Sequence, residues 1–199
     1  MKRISAILLL LPIMAFAQTS ERFIAKGLLS GKGTLAAGIP TAYDATNMYV
    51  SGNIEYYTED NISFRGGLYV FLGASRPKSL IVLSQNSTCF FGYNYHLTTH
   101  NHLDPYIGFE PGVSWTQLKA PENQALQTYP YNISDYKATI SPVASATLGI
   151  NYYAARFTHL FMEVSYINGM HLSDIPAVSL SEFHIAFGFG FNIFVLKKK

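Results

Sequence analysis

Apolar and polar positions alternate with a period of two over most of this chain, and most plainly near its end. From Phe183 to Val195 every odd position is large and apolar, while the even positions from His184 to Asn192 are small or polar. Such alternation marks a β-strand with two unlike faces. The bulky face is aromatic and the other carries Ala, Gly and Asn. Small residues belong on a crowded side, as they do where a strand's apolar face meets lipid and its other face lines a narrow barrel.

Seven earlier stretches read the same way, at about 23–36, 47–57, 62–73, 87–97, 104–115, 139–153 and 159–168. Each is near the length a tilted transmembrane strand needs, and no stretch after the first seventeen residues sustains a helical period. Gly27, Gly31 and Gly33 make the first the least regular. The predicted connections after strands two, four and six are short (58–61, 98–103, 154–158). Those after strands one, three, five and seven are longer, and 116–138 is the longest. Tight turns at one end and long loops at the other are the habit of outer-membrane barrels, and an even strand number puts both termini on the periplasmic side. The fold expected is all-β, an eight-stranded antiparallel transmembrane β-barrel.

A soluble barrel with an apolar interior would show the same alternation, and volume separates the two. Eight strands enclose room only for side chains or one small ligand. Five Phe from the last strand, with the Phe, Tyr, Trp and Leu of the others, would overfill that space, whereas Gly, Ser, Ala and Asn fit. Inward parity then falls on Lys26, Lys32, Glu55, Arg65, Glu110, Glu163, Glu182 and His184. Isolated charges in a narrow interior are costly, so these residues are expected to form a packed network of bases with carboxylates and to leave no continuous aqueous pore. Tyr56, Tyr95, Tyr106 and Tyr152 near one set of strand ends, and Tyr49 and Trp115 near the other, are expected in aromatic girdles.

Composition agrees. Charged residues make up 13% of the chain and aromatic ones 15%, with a mean hydropathy of only +0.14. That is too little charge for an ordinary soluble domain and too little hydropathy for a helical membrane bundle. Lys2 and Arg3, the apolar run Ile4–Phe16 and the Ala15-Phe16-Ala17 site read as a secretory signal peptide at 1–17, which leaves 18–199 as the barrel domain. Cleavage removes two of the fourteen basic residues, leaving twelve against twelve acidic ones, so nothing points to a nucleic-acid partner. Cys89 is the sole cysteine, which excludes an internal disulfide.

The signal peptide, the strand rhythm, the segment Tyr106-Ile107-Gly108-Phe109-Glu110-Pro111-Gly112-Val113 and the close together resemble a known family. That close joins Glu163-Val164-Ser165-Tyr166 and Gly169-Met170 to Phe187-Gly188-Phe189-Gly190-Phe191. The chain resembles the OmpA/OmpX-type small outer-membrane β-barrels, specifically the "outer membrane protein beta-barrel domain" proteins of Bacteroidota. The resemblance implies the outer membrane of a Gram-negative bacterium, contact with outer-membrane lipid, and insertion by the barrel-assembly machinery. That machinery reads a final strand in which a Gly precedes spaced apolar residues, as Gly188, Phe191 and Ile193 do here. The chain departs from the pattern by running on through Val195, Leu196 and three Lys.

Little in the sequence points to chemistry. His171, Ser173 and Glu182 faintly resemble the triad of the lipid A deacylases, a lipid-acting hydrolase reading, but Asp174 stands where those enzymes have Asn. Strand parity also turns His171 inward, away from lipid. His100 and His102 offer two imidazoles without companion Cys or paired carboxylates, too few for a metal site. No cofactor motif occurs. The role expected is structural or interactive, with any extracellular ligand met by loop 116–138 and its Tyr129, Tyr131 and Tyr136. A narrow channel is the remaining alternative.

Overall fold

The structure is a computed structural model that describes residues 23–75, 82–97, 102–119, 137–172 and 178–195. The expected signal peptide, most of loop 116–138 with its three tyrosines, His100, Ser173 and the terminal lysines lie outside the described residues. Eight long strands carry the fold: β1 (Leu28–Pro40), β2 (Thr46–Tyr57), β3 (Ile62–Ser75), β4 (Val82–His96), β5 (Leu103–Lys119), β6 (Thr139–Ala155), β7 (Thr158–His171) and β9 (Glu182–Phe194). A two-residue strand, β8 (Val178–Ser179), pairs with Met170 and His171 of β7. Each long strand pairs antiparallel with its sequence neighbour, and β9 pairs with both β7 and β1. The sheet therefore closes into an eight-stranded barrel without a free edge, which is how a sheet satisfies its backbone in lipid.

The two faces sort as the alternation requires. In β9, Phe183, Ile185, Phe187, Phe189, Phe191 and Ile193 are exposed, while Glu182, His184, Ala186 and Asn192 are buried. The exterior also carries Leu35, Ile54, Leu68, Phe91, Tyr93, Phe109, Leu148 and Met162 in a continuous greasy surface. A water-soluble monomer does not expose a patch of that extent, so the surface is the lipid contact.

The interior stays closed because bulky inward side chains lie over glycines on the next strand. Tyr106 is the register partner of Gly149, and His159 of Gly190. A Cβ on either glycine would enter the facing ring. Gly92 is tighter still: a Cβ there would strike the backbone oxygen of Phe109 and lie 2.7 Å from the Cα of Glu110. Backbone cannot yield as a side chain can, so Gly92→Ala is expected to lower the yield of folded barrel. Loss of the fast-migrating unboiled band on a gel checks this.

Two expectations are corrected here. The first strand is not 23–36 but Leu28–Pro40. A turn at Ala25–Gly27, with Gly27 at φ 84°, separates it from Phe23 and Ile24, which fold under the barrel mouth. The β1–β2 connection is consequently only 41–45, and the β3–β4 connection is 76–81. Asymmetry between the two ends is thus carried by 120–138 and by the stretch from Leu172 to Ser181, against the two-residue turn at 156–157.

Candidate functional site

Seven of the eight predicted interior residues lie inside the barrel, and most of them meet. Lys32 of β1 and Arg65 of β3 are the two central cations. Lys32 Nζ stands 3.2 Å from Glu163 Oε1 and 3.3 Å from Glu55 Oε2, and it donates to the Tyr106 hydroxyl at 3.1 Å. Arg65 Nη2 donates to Glu163 Oε2 at 2.8 Å, and Nε lies 3.6 Å from Glu110 Oε1. Glu163 therefore clamps both cations with one carboxylate, and the Tyr106 hydroxyl donates to it as well. All of these side chains are almost fully buried.

Below this centre, toward the termini, lies a second group. His96 Nδ1 sits 2.9 Å from both oxygens of Asp104, and Nε2 lies 3.2 Å from Glu55 Oε1. A carboxylate thus faces each ring nitrogen. Asn94 and Asn151 add amide donors to Glu55 and Asp104 at 2.7 and 2.8 Å. Ser63 Oγ is 3.0 Å from His96 Nε2, so a Ser, a His and an Asp stand in line. Ser63, however, donates its own proton to Glu55 and is fully buried. The line fixes charge and presents no nucleophile to a substrate.

The upper end differs. Glu182 accepts from Asn47 at 2.8 Å and from Tyr49 at 3.2 Å, and lies 2.7 Å from His184 Nε2. Around them the inward face becomes apolar, with Tyr49, Tyr69, Leu83, Phe90, Leu118, Val143, Ile167, Val178 and Leu180 in one cluster. Tyr43, in the β1–β2 connection, packs against it, and burial pushes its phenol up to about 12. The lower mouth is filled by Phe23, Ile24, Leu28, Tyr57 and Tyr153, with Phe194 against them. Phe23 stacks on Tyr153 at 5.8 Å between ring centres. Among the described residues, both ends of the lumen are thus occupied by side chains.

Lys26 is the exception to the inward set. It precedes β1, beyond the Gly27 turn where strand parity no longer applies, and it is exposed. Its ammonium bonds Glu59 Oε1 at 2.8 Å on the outer rim, and that hydrogen bond holds its pKa above the usual lysine value. Tyr49 and Tyr106 also depart from expectation, being interior residues rather than girdle members. Trp115 and Tyr95 are exposed on the outer face. Sequence reasoning left His96, Asp104 and Ser63 out of the network, although His96 shares parity with Asn94, and Asp104 with Glu110.

The hydrolase constellation does not assemble in the described part. His171 Nδ1 pairs with Thr116 Oγ1 at 2.6 Å. Glu182 sits opposite Ile167 in the β7–β9 register, four residues short of His171, or roughly 13 Å along the strand.

No protein-family model matches this chain, and no curated protein matches it. Solved structures do. OprG from Pseudomonas aeruginosa aligns with a TM-score of 0.62 at 16% identity, over 85% of this chain and 97% of its own. Neisserial surface protein A gives 0.57 at 10% identity, over 85% and 98%. The N-terminal β-barrel domain of Pseudomonas aeruginosa OprF gives 0.55 at 13% identity, over 85% and 99%. The fold is that of the small outer-membrane β-barrels. Joined to the greasy exterior, it makes this protein an integral outer-membrane barrel, crossing the bilayer with strands. At these identities the likeness extends to the fold alone.

Proposed function

We propose that this barrel serves a structural or surface-contact role and does not conduct. The observation that supports this most directly is the cross-lumen clamp of Glu163 on Lys32 and Arg65, which ties β7 to β1 and β3 across the interior. An ion path would have to part these groups and also pass the side chains at both mouths. Any ligand specificity then falls to the connections at the end opposite the termini, chiefly 120–138, since 116–119 belong to β5. The leader 1–17 is removed on export, and the spacing of Gly188, Phe191 and Ile193 in β9 supports recognition by the barrel-assembly machinery. The close and the strand rhythm support a place among the Bacteroidota "outer membrane protein beta-barrel domain" proteins.

Planar-bilayer recording tests the sealed lumen. The purified barrel is expected to give no steady unitary current. A current that changes with Glu110→Gln or Arg65→Gln would sink this reading in favour of a narrow channel.

A further inference from the structure

Glu110 reaches Arg65 from two strands away. It rises from β5, Arg65 belongs to β3, and β4 runs between them. At the crossing β4 carries Gly92, the register partner of Arg65. A Cβ there would lie 2.9 Å from Glu110 Cγ, so the missing side chain is what lets the carboxylate pass over β4. The carboxylate ends beside a second glycine, Gly67 of β3. Gly67 faces inward two residues beyond Arg65 and pairs with Asn53 of β2.

Gly67 leaves a hole. A Cβ on it would have its nearest neighbours at 3.6 Å (Asn53 Cβ), 3.9 Å (Glu110 Oε2) and 4.0 Å (the Gly52 oxygen). These are ordinary contact distances, so a group the size of a methyl fits there without moving anything. The polar groups around the hole are incompletely paired. Arg65 commits Nη2 to Glu163, while its Nε and Nη1 have no hydrogen-bond partner among the described residues. Glu110 Oε1 and Asn53 Oδ1 have none either. Arg65 Nε and Glu110 Oε1 stand 3.6 Å apart, too far for a direct hydrogen bond. All three side chains are almost fully buried. Buried donors and acceptors are costly to leave unpaired, and a polar gap just beyond bonding distance is where a bridging molecule sits.

The surroundings decide the chemistry of that molecule. An anion would face Glu110, and a cation would face Arg65. Unpaired donors on Arg65 and unpaired acceptors on Glu110 and Asn53 call for an occupant that both accepts and donates. A methyl-sized space admits about one heavy atom, which is the size of a water. We infer that Arg65, Glu110 and Asn53 hold one water molecule over Gly67, accepting from the guanidinium and donating to the carboxylate and amide oxygens. It completes the Arg65–Glu110 pair and ties β2 and β5 to β3. It is a single enclosed molecule with its bonds committed, so it gives the central cations no access to bulk solvent. The site stands whether or not the lumen conducts.

Gly67→Ala gives a bound water and a dry hole opposite signs. The backbone at 67 is ordinary strand, where alanine is normally favoured over glycine, and a methyl in a dry hole adds contacts. A dry hole therefore predicts a higher urea midpoint in lipid vesicles. A methyl that displaces the water leaves Arg65 and Glu110 unpaired, and the midpoint is expected to fall. The native barrel in detergent micelles supplies a second readout. Its Arg65 Nε–H resonance, assigned by its loss in Arg65→Lys, is expected to show a long-lived dipolar cross-peak to water, whose sign in the rotating frame separates contact from proton exchange. A lower midpoint together with that contact supports the site. An unchanged or higher midpoint, or a native spectrum without the contact, overturns it. Should Gly67→Ala fail to fold, the native spectrum alone decides. Planar-bilayer current is a separate measurement, so the two readings fail separately.

Discussion

Replacing Glu163 with alanine destabilises the folded barrel by about 3–5 kcal/mol, the range for removing one partner of a buried ion pair. The reason is the double clamp: Glu163 neutralises Lys32 and Arg65 together, and neither cation has bulk water to turn to. Glu110 is no substitute at 3.6 Å from Arg65, and Glu55 already serves Lys32 and His96. Glu163→Gln is expected to lose nearly as much, because it keeps the shape and removes the charge. Urea unfolding in lipid vesicles, followed by the gel shift of unheated samples, measures both. A loss below about 1 kcal/mol for either variant, the scale of an exposed pair, would mean that bulk water reaches the centre.

Phe189→Arg carries the second large effect, through the opposite face. Phe189 is near the middle of β9, with 66% of its surface exposed. A charge placed at the bilayer midplane on the lipid face of a barrel costs about 2–4 kcal/mol, and less toward the interfaces. The same substitution at Ile193, near the strand end, is therefore expected to cost clearly less. Equal losses at the two sites, or none at 189, would contradict the lipid assignment of the aromatic face. The same unfolding assay decides it.

The lipid face and the centre of the network were legible for one reason: strand parity is a local property, and the barrel preserves it. Lys32, Arg65, Glu55, Glu110 and Glu163 come from five strands, yet each is placed by its own neighbours alone. Tyr49 and Tyr106 were misplaced by residue type, since tyrosines near strand ends suit girdles, while their parity already turned them inward. The start of β1 was hidden because Phe23 and Ile24 are apolar at strand spacing, and only the Gly27 turn shows them to be a stopper. Which carboxylate meets which cation depends on register between strands. No single segment encodes that.

The knot beneath the barrel joins Phe23 and Ile24 to Leu28, Tyr57, Tyr153 and Phe194, while the Val195 amide donates to the Gly27 oxygen at 3.0 Å. Leu28 and Tyr57 already meet across the β1–β2 hairpin, whereas Phe194 and the Val195 amide join them only once β9 has met β1. The knot thus acts as a latch on a completed ring: its full set of contacts exists only in the finished barrel, and a half-zipped intermediate has part of it.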